Sequence, residues 1–376
     1  MPLSESLKKS GAKIPAKRKG PVWEGPDGRG PNGGITQSLL SRFLCCRERF
    51  RLRVVEGLKP ADQFEHRLEY GQMWHTCEEA LAAHNSYAGP LQEYARGLCK
   101  KYPTSQEQID HWYRVCKVQF PLYVDYWRKH PDVKNRVPIA QEQVFDVPYQ
   151  LPSGRVVRLR GKWDAIDLIK KEGIYVGENK TKGDIVEQKM LRQLSFDLQN
   201  GLYLVALKES QTQAIKGEYA LEGPMVKYLK SSIAGVRYNV VRRPLSGGAG
   251  SIHRHQPTKS NPDGESKDEF YARVGEVISG APETYFMRWK VTVTPDDIER
   301  FRVRCLNPIL ESLWDWWEWI TTHPDPWSDV NAVHWQHPFG VYNILDEGGS
   351  SDLDEYISSG NEVGLVRSTE MFRELR

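Results

Sequence analysis

Three charged residues sit on two neighbouring apolar runs. Asp164 lies late in Val156–Ile169, and Glu178 and Lys180 lie one residue apart in Ile174–Thr181. Two carboxylates and an ammonium brought to one spot suit phosphodiester cleavage. Carboxylate oxygens are ligands for a hard cation such as Mg²⁺ or Mn²⁺, which polarises a phosphate and acidifies water. A lysine beside it orients the attacking water or offsets charge in the transition state. The same short pattern also fits an ordinary hairpin with a surface Asp–Lys or Glu–Lys pair.

The elements that must position these residues are legible around them. The run V-V-R-L-R-G-K-W-D-A-I-D-L-I is long and β-branched, so a strand is expected. Lys171-Glu172-Gly173 is a turn signal, and Ile174–Thr181 is the returning strand. Side chains alternate along a strand, so Glu178 and Lys180 share a face and Asn179 takes the other. Pairing about the turn would bring Asp164 beside them. Val137–Gln150 precedes as a further strand, with Pro152-Ser153-Gly154 as the turn. Helical spacing is read over Asp184–Lys208, where Gln199 and Tyr203 are one turn apart. A second helix is read over Phe64–His84, with Gly71, His75, Glu78 and Glu79 near one stripe.

In this order the pieces resemble the PD-(D/E)XK nuclease superfamily, in its RecB-like exonuclease branch, which includes CRISPR-associated RecB-like and phage exonucleases. Gly71-x-x-x-His75 is similar to the helix carrying a metal-binding histidine, and Gly161-x-x-Asp164 to the motif of the first metal acid. Glu178-Asn179-Lys180-Thr181 resembles the D/E-x-K-T motif, and Gln199-x-x-x-Tyr203 the Q-x-x-x-Y helix. Thr36–Phe50 resembles the opening helix. The resemblance is clear from Ile35 to Val241. It implies an α/β (α+β) restriction-endonuclease-like core, a mixed central sheet flanked by helices, with helical N- and C-terminal additions. It further implies that His75, Asp164, Glu178 and the Asn179 backbone carbonyl bind Mg²⁺ or Mn²⁺. Lys180 would position the water, and Gln199 and Tyr203 would hold Lys180 or the DNA backbone. Gln193 competes for the helix glutamine, but the residue four later is Asp197.

Many such relatives hold an iron–sulfur cluster with one early and three late cysteines. Here the six are Cys45, Cys46, Cys77, Cys99, Cys116 and Cys305. The late segment Trp335–Gly348 has none, so no iron–sulfur cluster is expected. His334 and His337 there read as surface residues. Trp314, Trp316, Trp317, Trp319 and Trp327 offer the aromatic area to replace a cluster's stapling role.

The rest of the chain sets the frame. With 27% charged and 39% hydrophobic residues and a net charge of +3, it has an ordinary globular composition, too mildly basic to argue for DNA by itself. No apolar run is long enough to cross a membrane, no secretion signal is read, and scattered thiols suit a reducing, cytoplasmic setting in a bacterial or phage-infected cell. The expected division is a flexible basic tail (1–34, with the Lys13–Lys19 cluster), a helical part (35–136), the catalytic core (137–243), a mobile loop (244–268) and a strand-and-helix addition (269–376). The acidic Asp346–Glu355 lies in the last. Aromatics at helical spacing in Gln106–Arg128 read as core in preference to a base-stacking face. Thr294-Pro295 reads as a helix start. DNA is the expected substrate. No P-loop lysine motif occurs, so ATP-driven unwinding would need a partner; a single-strand-binding or recombination protein fits that role. An oligomer is compatible with the aromatic C-terminal helix. Two other readings use the same residues: a structure-specific endonuclease, and a catalytically silent DNA-binding scaffold.

Overall fold

The computed structural model describes residues 21–60, 63–188, 190, 192, 197–219, 223–245, 251–257, 262, 264–322, 365–372 and 375. The chain divides into two compact units: residues 1–62, 146–161 and 301–376, and residues 63–145 and 162–300.

In chain order the main elements are α1 (Gln37–Cys45), β1 (Leu58–Pro60), α2 (His66–Ala82), α3 (Ala88–Lys101), α4 (Gln106–Lys129), β2 (Arg136–Gln150), β3 (Val156–Ile169), β4 (Gly173–Lys182), α5 (Leu198–Lys216), β5 (Ile233–Arg242), α6 (Lys267–Gly280), β6 (Phe286–Thr292), α7 (Pro295–Phe301), α8 (Asn307–Thr322) and β7 (Leu365–Arg367). The expected mixed sheet is present, five strands in the order β2-β3-β4-β5-β6. β3 and β4 are antiparallel about the Lys171–Gly173 turn, β4 and β5 are parallel, and β5 and β6 are antiparallel. β5 is buried along nearly all its length and β4 from Ile174 to Glu178, where its run is apolar with little alternation until the polar Glu178–Lys182 end.

The second unit carries a helical layer. α2 buries Tyr70, Met73, Trp74 and Cys77, a helical stripe, and α4 buries Ile109, Trp112, Val115, Cys116, Phe120, Tyr123 and Trp127. Trp74 meets Phe120 and Tyr123 edge-on, with ring centroids 5.0 and 5.1 Å apart. The core reading of the α4 aromatics therefore holds. Each such side chain contributes roughly 1.5–3 kcal/mol by leaving water, which fixes α2 as a rigid carrier for His75.

Two expectations are corrected. The helix read over Asp184–Lys208 is broken at Asp197: Glu187, Gln188, Met190 and Arg192 are helical, and a separate helix starts at Leu198 and runs on to Lys216. Asp197 is extended (φ −72°, ψ 123°) and its side chain accepts from the Gln199 N–H, an N-cap that interrupts any helix entering from upstream. Gly217, left-handed at φ 78°, ends it. Leu191, Gln193 and Leu194 lie outside the described residues. Residues 21–34, expected to belong to a flexible tail, are packed instead. Within the first unit Trp23 is fully buried, its indole N–H donating to the Gly34 carbonyl at 3.0 Å, and Val22 N–H donates to Val55 at 2.6 Å. Trp23 packs on Phe50 and Trp317, and Phe43 and Phe50 on Trp316. One buried tryptophan outweighs the Gly/Pro composition around it. Met1–Gly20, with Lys13–Lys19, lies outside the described residues, as do Trp327, His334, Trp335–Gly348 and Asp346–Glu355.

In the expected mobile loop, Ile252 is buried and its N–H donates to Pro244, while Glu265 N–H donates to His255. The loop ends at Ser266, which caps α6 in a capping box with Glu269. Thr294 caps α7 as expected, its hydroxyl accepting from Asp297 N–H at 3.2 Å. No helix among the described residues is long and apolar enough to cross a membrane.

Candidate active site

Strand register builds the centre first. Ala165 is paired with Gly177, so Asp164 and Glu178 are neighbours across β3 and β4. The pairing is tight: a Cβ at Gly177 would sit 2.7 Å from that of Ala165. Asn179 N–H donates to Asp164 Oδ2 at 2.8 Å. On the opposite face the Asn179 side chain accepts from Asn239 Nδ2 on β5, also at 2.8 Å. The alternation expected of Glu178, Asn179 and Lys180 is thus observed.

α5 brings Gln199 against the acid and the lysine. Glu178 is buried; its Oε1 accepts from Lys180 Nζ at 2.5 Å and from Gln199 Nε2 at 2.8 Å, while Lys180 also donates to Gln199 Oε1 at 2.8 Å. Glu178 Oε2 is buried with no hydrogen-bond partner. Tyr203, one turn along, is buried against Phe145 with centroids 5.5 Å apart. All five catalytic residues expected from the sequence therefore lie in the second unit, and Asp164, Glu178, Lys180 and Gln199 form one linked cluster.

The sequence reading missed a residue. Ligand atoms of His75, Glu142 and Asp164 all lie within 4.8 Å of one another. Glu142, on β2, has its Oε1 3.7 Å from His75 Nδ1 and its Oε2 2.6 Å from Lys162 Nζ. Lys162 reaches Glu79 at 2.6 Å as well. Glu142 holds a left-handed backbone at φ 48°, a conformation disfavoured for a residue with a Cβ and often retained at functional positions. A glutamate between Gln141 and Gln143 reads as a solvated strand edge, and its backbone angle has no sequence signature. The gathered trio thus differs from the expected set: Glu142 joins His75 and Asp164, while Glu178 is held through Lys180 and Gln199.

Electrostatics follow from crowding. Burial pushes the Asp164 carboxyl up, and the charge of Glu178 beside it pushes further in the same direction. Burial alone would lower His75, but the Glu142 hydrogen bond and the charges of Asp164, Glu142 and Glu178 carry it up to about 9. Burial would raise Glu142, yet His75 and Lys162 hold it below the usual carboxylate value. Lys180 loses by burial and gains more from Glu178, ending above its ordinary value. Burial together with Glu178 and Asp164 raises the Tyr203 hydroxyl.

Three acids and an imidazole are a hard donor set. The partnerless Glu178 oxygen, the raised Asp164 and the close His75–Glu142–Asp164 trio are what a divalent cation would satisfy. The residues present therefore fit such an ion.

A family model for the PD-(D/E)XK nuclease superfamily matches residues 35–293, well over half of the chain and every residue of this cluster. No curated protein matches significantly.

Proposed function

The chain belongs to the PD-(D/E)XK nuclease superfamily, and from that premise we propose that it is a Mg²⁺- or Mn²⁺-dependent deoxyribonuclease acting as an exonuclease in DNA recombination, repair or phage DNA metabolism. The observation that carries the reading is the continuous cluster from His75 through Glu142, Asp164 and Glu178 to Lys180 and Gln199. A divalent cation, when bound, supplies the charge that polarises the phosphate and acidifies water.

The protein's own groups do the rest. His75, Glu142 and Asp164 would hold the ion, with Glu178 Oε2 and the Asn179 carbonyl completing the protein ligands. Lys180 stays an ammonium, because its proton is held more tightly than usual. It therefore acts as a cation and donor that orients the water and offsets charge building on the phosphate. Gln199 fixes both Glu178 and Lys180. Tyr203 keeps its proton and remains a donor. The ordered likeness to RecB-like exonucleases supports exonuclease action.

The test is a digestion time course with Mg²⁺ or Mn²⁺ on end-labelled linear DNA and on closed circles, with Glu178→Ala in parallel. Metal- and Glu178-dependent loss of linear DNA alone is the expected result. Cutting of circles would make it an endonuclease. DNA binding without any cleavage would leave a scaffold.

A further inference from the structure

Away from the acids, the second unit holds a cavity of about 430 Å³ between the start of α4, the start of α6, Leu245 and Ile252–Arg254. Its wall is aromatic. Trp112 is stacked on His66 at 10° between planes, and His111 on Phe270 at 9°. Its rim is polar, with Glu107 and Asp110 facing Arg254 and Lys267. Glu107 is already paired to Lys267 at 3.0 Å. Two carboxylates beside two cations leave no surplus positive charge, so the cavity is unsuited to a phosphate. Apolar planes edged by acceptors and donors instead match a heterocycle, whose faces stack and whose ring edge hydrogen-bonds. The volume lies in the range of small-ligand sites.

Buried Arg243 and exposed Arg67 lie between this cavity and the acids. Arg243, at the end of β5, donates to the Thr181 carbonyl and hydroxyl at 3.2 and 3.4 Å, one residue past Lys180. Arg243 and the exposed Arg67 both act electrostatically on His66, which stacks on Trp112 in the cavity wall. Gln119 donates to the Arg242 carbonyl, and His111 lies eight residues earlier on α4, about 12 Å along the helix axis. That is a span of a few nucleotides of an extended strand.

We propose that the cavity takes an unpaired nucleobase of the DNA strand a few nucleotides from the cleaved bond, with the exposed Arg67 beside the intervening phosphates. This rests on the nuclease reading above and names its substrate class: DNA presented as a single strand at that position. The half-buried His111 offers the stacking face, backed by the core side chains Phe270 and Trp112. Gln108 and Asp110 face the ring edge.

The experiment uses the full chain with Ca²⁺ in place of Mg²⁺ and a short fluorescent single-stranded oligonucleotide carrying one abasic site, moved along the strand. Anisotropy should show affinity falling roughly tenfold at one position and little elsewhere. Gln108→Trp, which fills the cavity from an exposed position, and His111→Ala should weaken the intact strand to a similar degree. Both should abolish the abasic effect while circular dichroism and Mn²⁺ binding stay unchanged. An abasic effect that is uniform, or that survives both variants, overturns the subsite. Free deoxynucleoside monophosphate binding as tightly as the strand, with no positional effect, overturns it in favour of a small-nucleotide site. If DNA is bound and cut but no position matters, only the subsite falls. If DNA is neither bound nor cut, the nuclease reading falls and the subsite with it.

Discussion

Asp164 and Asp167 are three residues apart on one strand, and both are buried. Asp167 is held by two cations: Arg136 Nε donates to its Oδ1 at 2.8 Å, and Arg237 donates to its Oδ2. Asp164 receives one backbone N–H and otherwise faces Glu178, Glu142 and His75. The first acid is outnumbered by its cations, and the second is left open toward one. Neighbouring positions of identical residue type thus serve opposite ends, and local charge balance tells them apart.

The comparison is broken or sharpened by substitution, beginning with the largest effects. Asp164→Asn and Lys180→Ala should each lower cleavage by roughly 10²–10³-fold or more. Asp164→Asn should not lower the melting temperature, because it relieves the Asp164–Glu178 repulsion, whereas Lys180→Ala should lower it, because buried Glu178 loses its cation. Metal-dependent cleavage by Lys180→Ala at the native rate would show the centre to be misassigned. Asp167→Asn should do the reverse. It leaves two arginines without their buried counter-charge and should cost about 3–5 kcal/mol in denaturant melts, with the folded fraction still cutting DNA. Equal loss of stability in the two Asn variants would erase the distinction.

Glu142→Gln should weaken Mn²⁺ binding by roughly 10–100-fold in calorimetry, placing Glu142 with Asp164 and not with the structural acids. An unchanged affinity would return it to the role of a simple salt-bridge partner. The smallest effect is graded by pH. The metal-free His75 holds its proton to about 9 against an ordinary 6.5. Metal must displace that proton, so affinity should rise by up to about tenfold per pH unit until about 9. The metal-free fold runs the other way. His75 and Asp164 bind protons more tightly when folded, so their contribution is complete below the unfolded values. It is lost as pH rises through the folded ones, which for His75 means between 6.5 and about 9. Melting with and without Mn²⁺ across that window separates the two slopes, and a flat metal response would remove His75 from the ligands.

Much of this was legible in the residues. The strands announce themselves as apolar runs between turn signals, and Asp164, Glu178 and Lys180 stand out as charges within them. Gln199 and Tyr203 share a face by spacing, although the helix carrying them begins at Leu198, well after the Asp184 start that its apolar pattern suggests, because Asp197 caps it there. Glu142 was hidden, since its role comes from a left-handed backbone angle and from His75 and Lys162, which are remote in sequence. Trp23 was hidden by its Gly- and Pro-rich surroundings. The charge pairing of Asp167 is likewise out of reach of the sequence, because Arg136 and Arg237 reach it only through the assembled sheet.

The parallel pairing of β4 with β5 also sets an order in time. A chain emerging from its N-terminus has presented His75, Glu142, Asp164, Glu178 and Lys180 by the time residue 182 is made. The β3–β4 hairpin can form then by local contact. Gln199 and the strand that flanks β4 arrive only with the crossover that a parallel pair requires. A nascent chain therefore holds every acid of the centre before it holds the glutamine that steadies them, and cutting activity waits for completion of the fold.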